Sequence, residues 1–138
     1  MITVSRRYQF AAAHVLRQPA LSDAENERVY GKCANPNGHG HDYGLEVTIT
    51  GPVSPETGRI IEPERLDEIV RRAVLERFDH RLLNEDSLFQ AAVPTAENIA
   101  LAVHGQLEEP IRSEAGVRLL RVRIVETRRN HFDYGEMP

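Results

Sequence analysis

The residues best suited to chemistry lie together in one stretch, Cys33 to Tyr43, which reads CANPNGHGHDY. This stretch holds the only cysteine of the chain and two of its six histidines, His39 and His41. The residues that follow alternate between apolar and polar side chains, as a half-buried strand does. Side chains two positions apart on a strand point to the same face, so these histidines can aim two imidazoles at one point. Paired imidazoles of this kind are common zinc ligands.

A third zinc ligand is expected from His14. It ends an alternating stretch in which most of the even-numbered residues from Ile2 to Ala12 are apolar or aromatic. This alternation predicts a strand over residues 2–14. If that strand pairs antiparallel with the one that begins near His39, the end of one lies beside the start of the other. Three histidines with an open fourth position are typical of catalytic zinc. The alternative is a solvent-facing His-Gly-His turn and a buried His14 with an ordinary hydrogen-bond partner.

Three further residues can take part in proton transfer. Asp79 and His80 follow a predicted helix, and a carboxylate next to a histidine can orient the imidazole and make it a better base. Ordinary helix capping is the alternative interpretation. Cys33 lies in the loop before the predicted metal site, where a thiolate would serve as a base or nucleophile. A small buried apolar residue is the alternative for Cys33.

Glu126 is the fourth candidate besides the three predicted zinc ligands. Along its strand it follows Leu120, Val122 and Ile124 at every second position, so we expect its side chain to face the apolar side. A carboxylate on that side needs hydrogen-bond or charged partners. A planar ligand with paired N–H donors would satisfy it, and a salt bridge with an arginine is the alternative. The two remaining histidines, His104 and His131, are interpreted as surface or packing residues.

The elements that position these residues are predicted in the order strand, strand, helix, helix, strand, strand. The predicted strands cover residues 2–14, 41–52, 116–127 and 131–135, and a long loop covers residues 15–38. One helix is predicted over about 63–78, and a second begins after Thr95 as its N-cap residue. This order indicates an α+β fold with a four-stranded antiparallel sheet and two helices on one face. The uncovered face and the sheet edges favour self-association.

The whole chain has 138 residues and a net charge of −4, which favours a single domain over residues 1–138 and gives no indication of a nucleic-acid partner. No apolar run reaches the roughly 18 residues of a membrane span. The first residues resemble a strand more than a signal peptide. One cysteine cannot form an internal disulfide, and together these features favour a cytoplasmic protein without a membrane partner.

Five segments along nearly the whole chain resemble the 6-pyruvoyl-tetrahydropterin synthase family, part of the tunnelling-fold superfamily of pterin and purine enzymes. They are, in order, Phe10–His14, Cys33–Tyr43, Phe78–Asn84, Pro94–Asn98 and Val125–Thr127. The resemblance implies a tunnelling fold in which three subunits close a barrel and two trimers stack as a homohexamer. It implies Zn²⁺ as the cofactor, bound by three ligands: His14, His39 and His41.

The same resemblance assigns roles to the other candidates. Cys33 resembles the general base of the family, and Asp79 and His80 resemble its relay partners, supplied by a neighbouring subunit. Glu126 resembles the residue that holds the amino and N–H edge of the pterin ring, with Thr95 in the same pocket. The implied substrate is 7,8-dihydroneopterin triphosphate.

The resemblance implies a zinc-dependent lyase of tetrahydrobiopterin biosynthesis, which converts this substrate to 6-pyruvoyl-tetrahydropterin with loss of triphosphate. One alternative is the related 6-carboxy-tetrahydropterin synthase of deazapurine (queuosine) biosynthesis, and another is a non-catalytic pterin-binding homologue. Five residues separate Cys33 from His39, as in the pyruvoyl enzymes, whereas the carboxy enzymes usually have three. Ala96 departs from the second threonine that pyruvoyl enzymes often carry in the substrate pocket.

Overall fold

A five-stranded sheet with helices packed on one face forms the framework of residues 1–136, which a computed structural model describes. The strands are β1 (Thr3–His14), β2 (His39–Thr50), β3 (Arg81–Leu82), β4 (Arg118–Thr127) and β5 (Asn130–Gly135). Their order across the sheet is β3-β1-β2-β4-β5. Neighbouring strands run antiparallel except β3, which runs parallel to β1. The α+β class is confirmed, as are the four long strands to within two residues at each end.

The prediction of a four-stranded sheet is wrong by one strand. Residues 81 and 82 pair with Ala12 and Ala13 on the outer edge of β1 and so form β3. A strand of two residues is too short to show an alternation of apolar and polar side chains, which is the main sequence signal for a strand.

The helices are α1 (Asp23–Tyr30), α2 (Pro63–Val70), α3 (Glu76–Phe78) and α4 (Ala96–Arg112). A π-helical segment, Arg71–Leu75, joins α2 to α3, so the predicted helix over 63–78 exists without a break. Short 3₁₀ turns lie at Gly31–Ala34, Leu83–Glu85 and Ser87–Phe89. The predicted N-cap is confirmed, because the Thr95 side chain accepts a hydrogen bond from the backbone N–H of Asn98. None of the helices within residues 1–136 has the length and apolarity that a membrane crossing requires.

The long loop predicted over residues 15–38 is only partly correct, because it contains α1. Ser22 and Glu25 form a capping box at the start of this helix. Asn26 is its one buried residue, so the helix has no apolar stripe by which it could be recognised in the sequence. Sequence periodicity therefore could not find α1.

The core lies between the inner face of the sheet and helices α2 and α4. Phe10 of β1 stacks on Tyr43 of β2 with ring centroids 5.1 Å apart, and Phe78 packs against Phe10 from the helical layer. Apolar residues of β2 alternate into this core, as the sequence predicted, and all are almost fully buried: Tyr43, Leu45, Val47 and Ile49. Residues of the same parity that precede Tyr43 include His41 and His39, so the core side of the sheet is also the side of the histidines.

The opposite face of the sheet carries charged side chains and no helical layer. Glu46 contacts Arg7 at 3.1 Å and Arg121 at 3.2 Å, and Arg123 makes two hydrogen bonds to Asp133. The Arg123 guanidinium lowers the pKa of the Asp133 carboxyl. Within residues 1–136, no strand pairs with the outer edge of β5 or with the outer edge of the first half of β1.

Candidate metal centre and catalytic site

The register of β1 and β2 brings three histidines to one end of the sheet. His14 lies directly opposite His39, and His41 lies opposite Ala12, so the expected antiparallel pairing is confirmed. Residues directly opposite each other in such a pair project from the same face. The three imidazole rings consequently lie on the core side, with centroids 4.4, 5.1 and 4.9 Å apart.

The spacing of the imidazole nitrogens fits a single metal ion. One nitrogen from each of His14, His39 and His41 lies within 4.8 Å of the other two. The Nε2 atoms of His14 and His39 are 2.9 Å apart. Two imidazole ligands of a tetrahedral zinc ion, each about 2.0–2.1 Å from it, would be roughly 3.3 Å apart. The donor set and its spacing thus match a three-histidine metal site.

The surroundings of His14 prepare it to bind a cation. Its Nδ1 atom lies 2.8 Å from the carbonyl oxygen of Pro94. Because a carbonyl only accepts hydrogen bonds, Nδ1 carries the proton and Nε2 keeps its lone pair for the metal. Burial lowers the pKa of His14 to about 4, so the ring is neutral at neutral pH. Burial also lowers the pKa of His39, and the nearby His41 adds to the effect.

Tyr43 and Pro94 are two parts of this centre that the sequence interpretation missed. The Tyr43 hydroxyl lies 3.2 Å from His14 Nδ1, and its ring packs against those of His14 and His41. Hydrogen bonds to the distal nitrogen of a ligating histidine fix its tautomer and orientation. Tyr43 could have been found because it shares the strand parity of His39 and His41. Pro94 contributes a backbone carbonyl, which leaves no trace in side-chain patterns.

Cys33 and Glu126 both lie near enough to Tyr43 to affect its hydroxyl group. Burial raises the pKa of the Tyr43 hydroxyl, and the charges of Glu126 and Cys33 raise it further. Glu126 also acts on His39, where it opposes the effect of burial on the pKa. The half-buried Cys33 sits in the 3₁₀ turn before β2, and its carbonyl oxygen accepts a 2.7 Å hydrogen bond from the backbone N–H of Leu16.

Glu126 occupies an irregular position in its strand. The β4–β5 register shifts between Val125 and Thr127, so Glu126 has no residue directly opposite it in β5. Such a bulge re-aims the side chain of the extra residue. None of the ion pairs recorded among residues 1–136 involves Glu126, so the alternative of a salt bridge with an arginine finds no support there. The Glu126 side chain is half-buried.

Asp79 and His80 form the expected carboxylate–imidazole pair, 3.1 Å apart from Oδ2 to Nδ1. The other Asp79 oxygen accepts a hydrogen bond from the backbone N–H of Ala11, whose carbonyl accepts one from His80. The pair thus lies along the outer edge of β1, whereas His39 and His41 lie along its inner edge. The His80 side chain is 81% exposed, and it lines the same surface pocket as His41.

Thr95 directly follows Pro94, the residue whose carbonyl oxygen contacts His14. Pro94, which precedes it, holds His14, and Thr95 itself caps α4. The structure confirms the N-cap role of Thr95, and the substrate-pocket role remains a prediction.

Comparison with known proteins gives consistent results over almost the entire chain. The profile of the family described as 6-pyruvoyl tetrahydropterin synthase matches residues 3–137. The 6-pyruvoyl tetrahydrobiopterin synthase of Homo sapiens is 39% identical over 132 residues, which cover 95% of this chain and 89% of the human protein. That of Drosophila melanogaster is 37% identical over 132 residues, covering 95% and 77%. The solved structure of Caenorhabditis elegans 6-pyruvoyl tetrahydropterin synthase superposes with a TM-score of 0.89 at 36% identity, covering 99% of this chain and 96% of that one.

Proposed function

The chain belongs to the 6-pyruvoyl tetrahydropterin synthase family, and from this premise we propose that it is a lyase that converts 7,8-dihydroneopterin triphosphate to 6-pyruvoyl-tetrahydropterin with loss of triphosphate. The observation that carries the proposal is the grouping of His14, His39 and His41, with Cys33 and Glu126 near the adjoining Tyr43 hydroxyl. Metal ligands, a candidate base and a free carboxylate are the three kinds of group that this chemistry requires. As its lone cysteine carries no disulfide, we also propose that the enzyme works in the reducing cytoplasm.

We propose Zn²⁺ as the ion, held by His14, His39 and His41. Neutral imidazoles suit zinc, and a three-histidine set leaves a fourth position for substrate. When bound, the ion would supply Lewis acidity to the hydroxyl groups of the substrate side chain and so acidify the adjacent C–H bonds. The hydrogen bond from His14 to Pro94 would hold the first ligand in its binding tautomer.

Cys33 is the group that we propose to move the proton. As a thiolate, its Sγ atom would accept a proton from a carbon of the substrate side chain and return it to a neighbouring carbon, while triphosphate departs. Its position supports this role, because the Leu16 hydrogen bond ties the Cys33 backbone to the chain two residues after His14. The base and the first metal ligand are thereby held close together.

Glu126 is the residue that we propose to bind the pterin ring. Its carboxylate has two acceptor oxygens and no protein cation recorded beside it among residues 1–136. A pterin edge offers an amino group and a ring N–H as paired donors, and charge-assisted pairs of this geometry are strong and directional. Thr95, next to the Pro94 carbonyl that holds His14, would border the same pocket.

The exposed Asp79–His80 pair is placed where it could contribute to the active site of a second copy of the chain. It lies on an open edge of the sheet, and β5 forms the other open edge, so that one copy can offer its edge to the next. We propose that copies join in this way and that the assembly is a homohexamer of two trimers. The edges and the uncovered charged face support association, whereas the number of subunits comes from the family resemblance alone.

Subunit mixing tests whether Asp79 acts on the site of a neighbour. Cys33→Ala and Asp79→Asn should each be nearly inactive alone, yet unfolding and refolding them together should restore activity. In random head-to-tail assembly, roughly a quarter of sites would combine an intact Cys33 with an intact Asp79 from the next copy. Recovery measured by product formation, with light scattering reporting six chains, is the expected result. Failure of every mixture to regain activity, or a monomer in solution, would contradict the proposed assembly.

The product formed from 7,8-dihydroneopterin triphosphate tests the proposed reaction directly. We expect 6-pyruvoyl-tetrahydropterin and triphosphate without acetaldehyde, identified by mass spectrometry and an aldehyde assay. The five-residue spacing between Cys33 and His39 favours this product over the carboxypterin. Release of acetaldehyde would instead identify a 6-carboxy-tetrahydropterin synthase. Tight pterin binding with neither product would identify a non-catalytic homologue.

A further inference from the structure

The segment that carries Asp79 and His80 continues along β1 as far as the metal site. Successive residues of this segment contact successive residues of β1 and the residue that follows it. These contacts join Asp79 and His80 to Ala11, Arg81 to Ala12, Leu82 to Ala13 and Asn84 to Val15. The last contact, between Asn84 and Val15, lies one residue beyond His14.

Val15 needs this contact because its backbone has lost its partner strand. The pairing of β1 with β2 ends at His14 and His39, and Val15 is only 8% exposed. The Oδ1 atom of Asn84 accepts the Val15 N–H at 2.8 Å, and its Nδ2 atom donates to the Val15 carbonyl at 2.8 Å. Backbone groups that are buried without a partner are strongly unfavourable. The side-chain amide of Asn84 thus makes the two hydrogen bonds that a neighbouring strand would otherwise make with the Val15 backbone.

The position of Val15 affects two of the three histidines. It follows His14 directly in the chain. It also packs against Gly38, where a side chain would come within 3.4 Å of the His14 carbonyl oxygen and of a Val15 methyl group. Gly38 has a φ of +71° and directly precedes His39. Movement of Val15 would therefore displace His14 through the chain and His39 through this contact.

We propose that Asn84 is a positioning residue of the metal centre, whose carboxamide fixes the His14–Val15 peptide and thereby the geometry of the histidine ligands. Metal–ligand distances tolerate deviations of only about 0.2 Å, so small displacements of a ligand matter. Residues that support metal ligands typically account for about 10- to 100-fold of metal affinity. The inference rests on the metal site of the proposed function, not on the lyase reaction.

Asn26 offers a matched control, because it makes the same kind of contact away from the histidines. Its Oδ1 atom accepts the Gln18 N–H at 2.8 Å, and its Nδ2 atom donates to the Gln18 carbonyl at 3.1 Å. Gln18 follows Val15 by three residues in the chain and does not adjoin a histidine. Asn26→Ala therefore removes an equivalent amide clamp and leaves the histidine ligands in place.

The experiment compares the metal binding of three variants, Asn84→Ala, Asn84→Asp and Asn26→Ala, with that of the original chain. Zinc affinity would be measured by competition with a chromophoric chelator, and ligand geometry from the visible absorption of bound Co²⁺. We expect Asn84→Ala to bind zinc about 10- to 100-fold more weakly, with a changed Co²⁺ spectrum. Asn84→Asp keeps an acceptor for the Val15 N–H and should show a smaller loss. Asn26→Ala should keep the original affinity and spectrum, even where its apo form melts at a lower temperature.

Unchanged zinc affinity and Co²⁺ spectrum in Asn84→Ala would overturn the inference. If Asn84→Ala does not fold, unchanged zinc affinity and an unchanged Co²⁺ spectrum in Asn84→Asp would also overturn the inference. An equal loss in Asn26→Ala would also overturn it, because the effect would then reflect general loosening. If the original chain binds neither zinc nor Co²⁺, both the proposed metal site and this inference are wrong. If the original chain binds zinc but does not turn over the substrate, only the proposed reaction is wrong.

Discussion

Replacement of Cys33 with alanine is expected to lower kcat by about 10²–10⁴-fold, the range typical of a general acid–base group. Zinc content and pterin binding should stay close to those of the original chain, because neither role is assigned to the thiol. The turn that carries Cys33 is held by the backbone hydrogen bond to Leu16, which the substitution does not remove. Steady-state kinetics with the zinc content of each sample would measure the effect.

Glu126→Gln is the matched comparison, since it keeps the shape of the side chain and removes its charge. Loss of a charge-assisted hydrogen-bonded pair to the pterin ring, about 1.5–3 kcal/mol, should raise KM by roughly 10- to 150-fold and affect kcat less. Iodoacetamide should label Cys33 in the free enzyme and more slowly when substrate is bound. A fully active Cys33→Ala variant with an unreactive thiol in the parent would exclude the proposed proton transfer.

The histidine cluster could be predicted from the sequence because it depends on two simple regularities. Alternation along a strand places His39 and His41 on one face, and antiparallel pairing of two consecutive strands places His14 beside them. Both regularities are local or involve neighbouring strands. Alternation also identified the core face of β2, whereas the N-cap at Thr95 was identified by its residue type before a predicted helix.

The parts that could not be predicted depend on contacts between distant segments. The Pro94 carbonyl that holds His14 is 80 residues away in the chain, and the Asn84 amide that holds Val15 is 69 residues away. Neither contact repeats along the sequence, so no periodicity reveals it. Helix α1 and strand β3 escaped prediction for a related reason: one buries a single asparagine and the other has two residues.

Sequence adjacency also cannot determine whether the Asp79–His80 pair would act in its own chain or in a neighbouring copy. The neighbouring positions of Asp79 and His80 correctly predicted a carboxylate in contact with an imidazole. Their placement on the outer edge of β1, away from the other edge that pairs with β2, became clear only with the sheet order. The edge position makes an intermolecular role physically reasonable and explains why the pair is exposed in a single chain.

Replacement of His41 with alanine is expected to remove zinc from the protein and to abolish activity with it. Zinc sites in proteins bind with about 10–16 kcal/mol, or about 2.5–4 kcal/mol for each of four ligands, so loss of one should weaken the Kd by roughly 10²–10³-fold. His41 is the most suitable ligand to replace, because it is half-buried whereas His14 is fully buried and its removal would leave a cavity. Zinc content after dialysis against a weak chelator should fall from about one ion per chain to near zero.

His104→Ala is the control, since this histidine lies on α4 against the Tyr134 ring and not among the metal ligands. It should retain zinc and turnover. The apo form of His41→Ala should unfold at nearly the same temperature as the metal-free parent, because the apolar core between the sheet and helices α2 and α4 does not depend on the ion. Loss of zinc without loss of the fold would identify the ion as part of the active site and not of the framework. Full zinc in both His39→Ala and His41→Ala would place the ligands elsewhere in the chain.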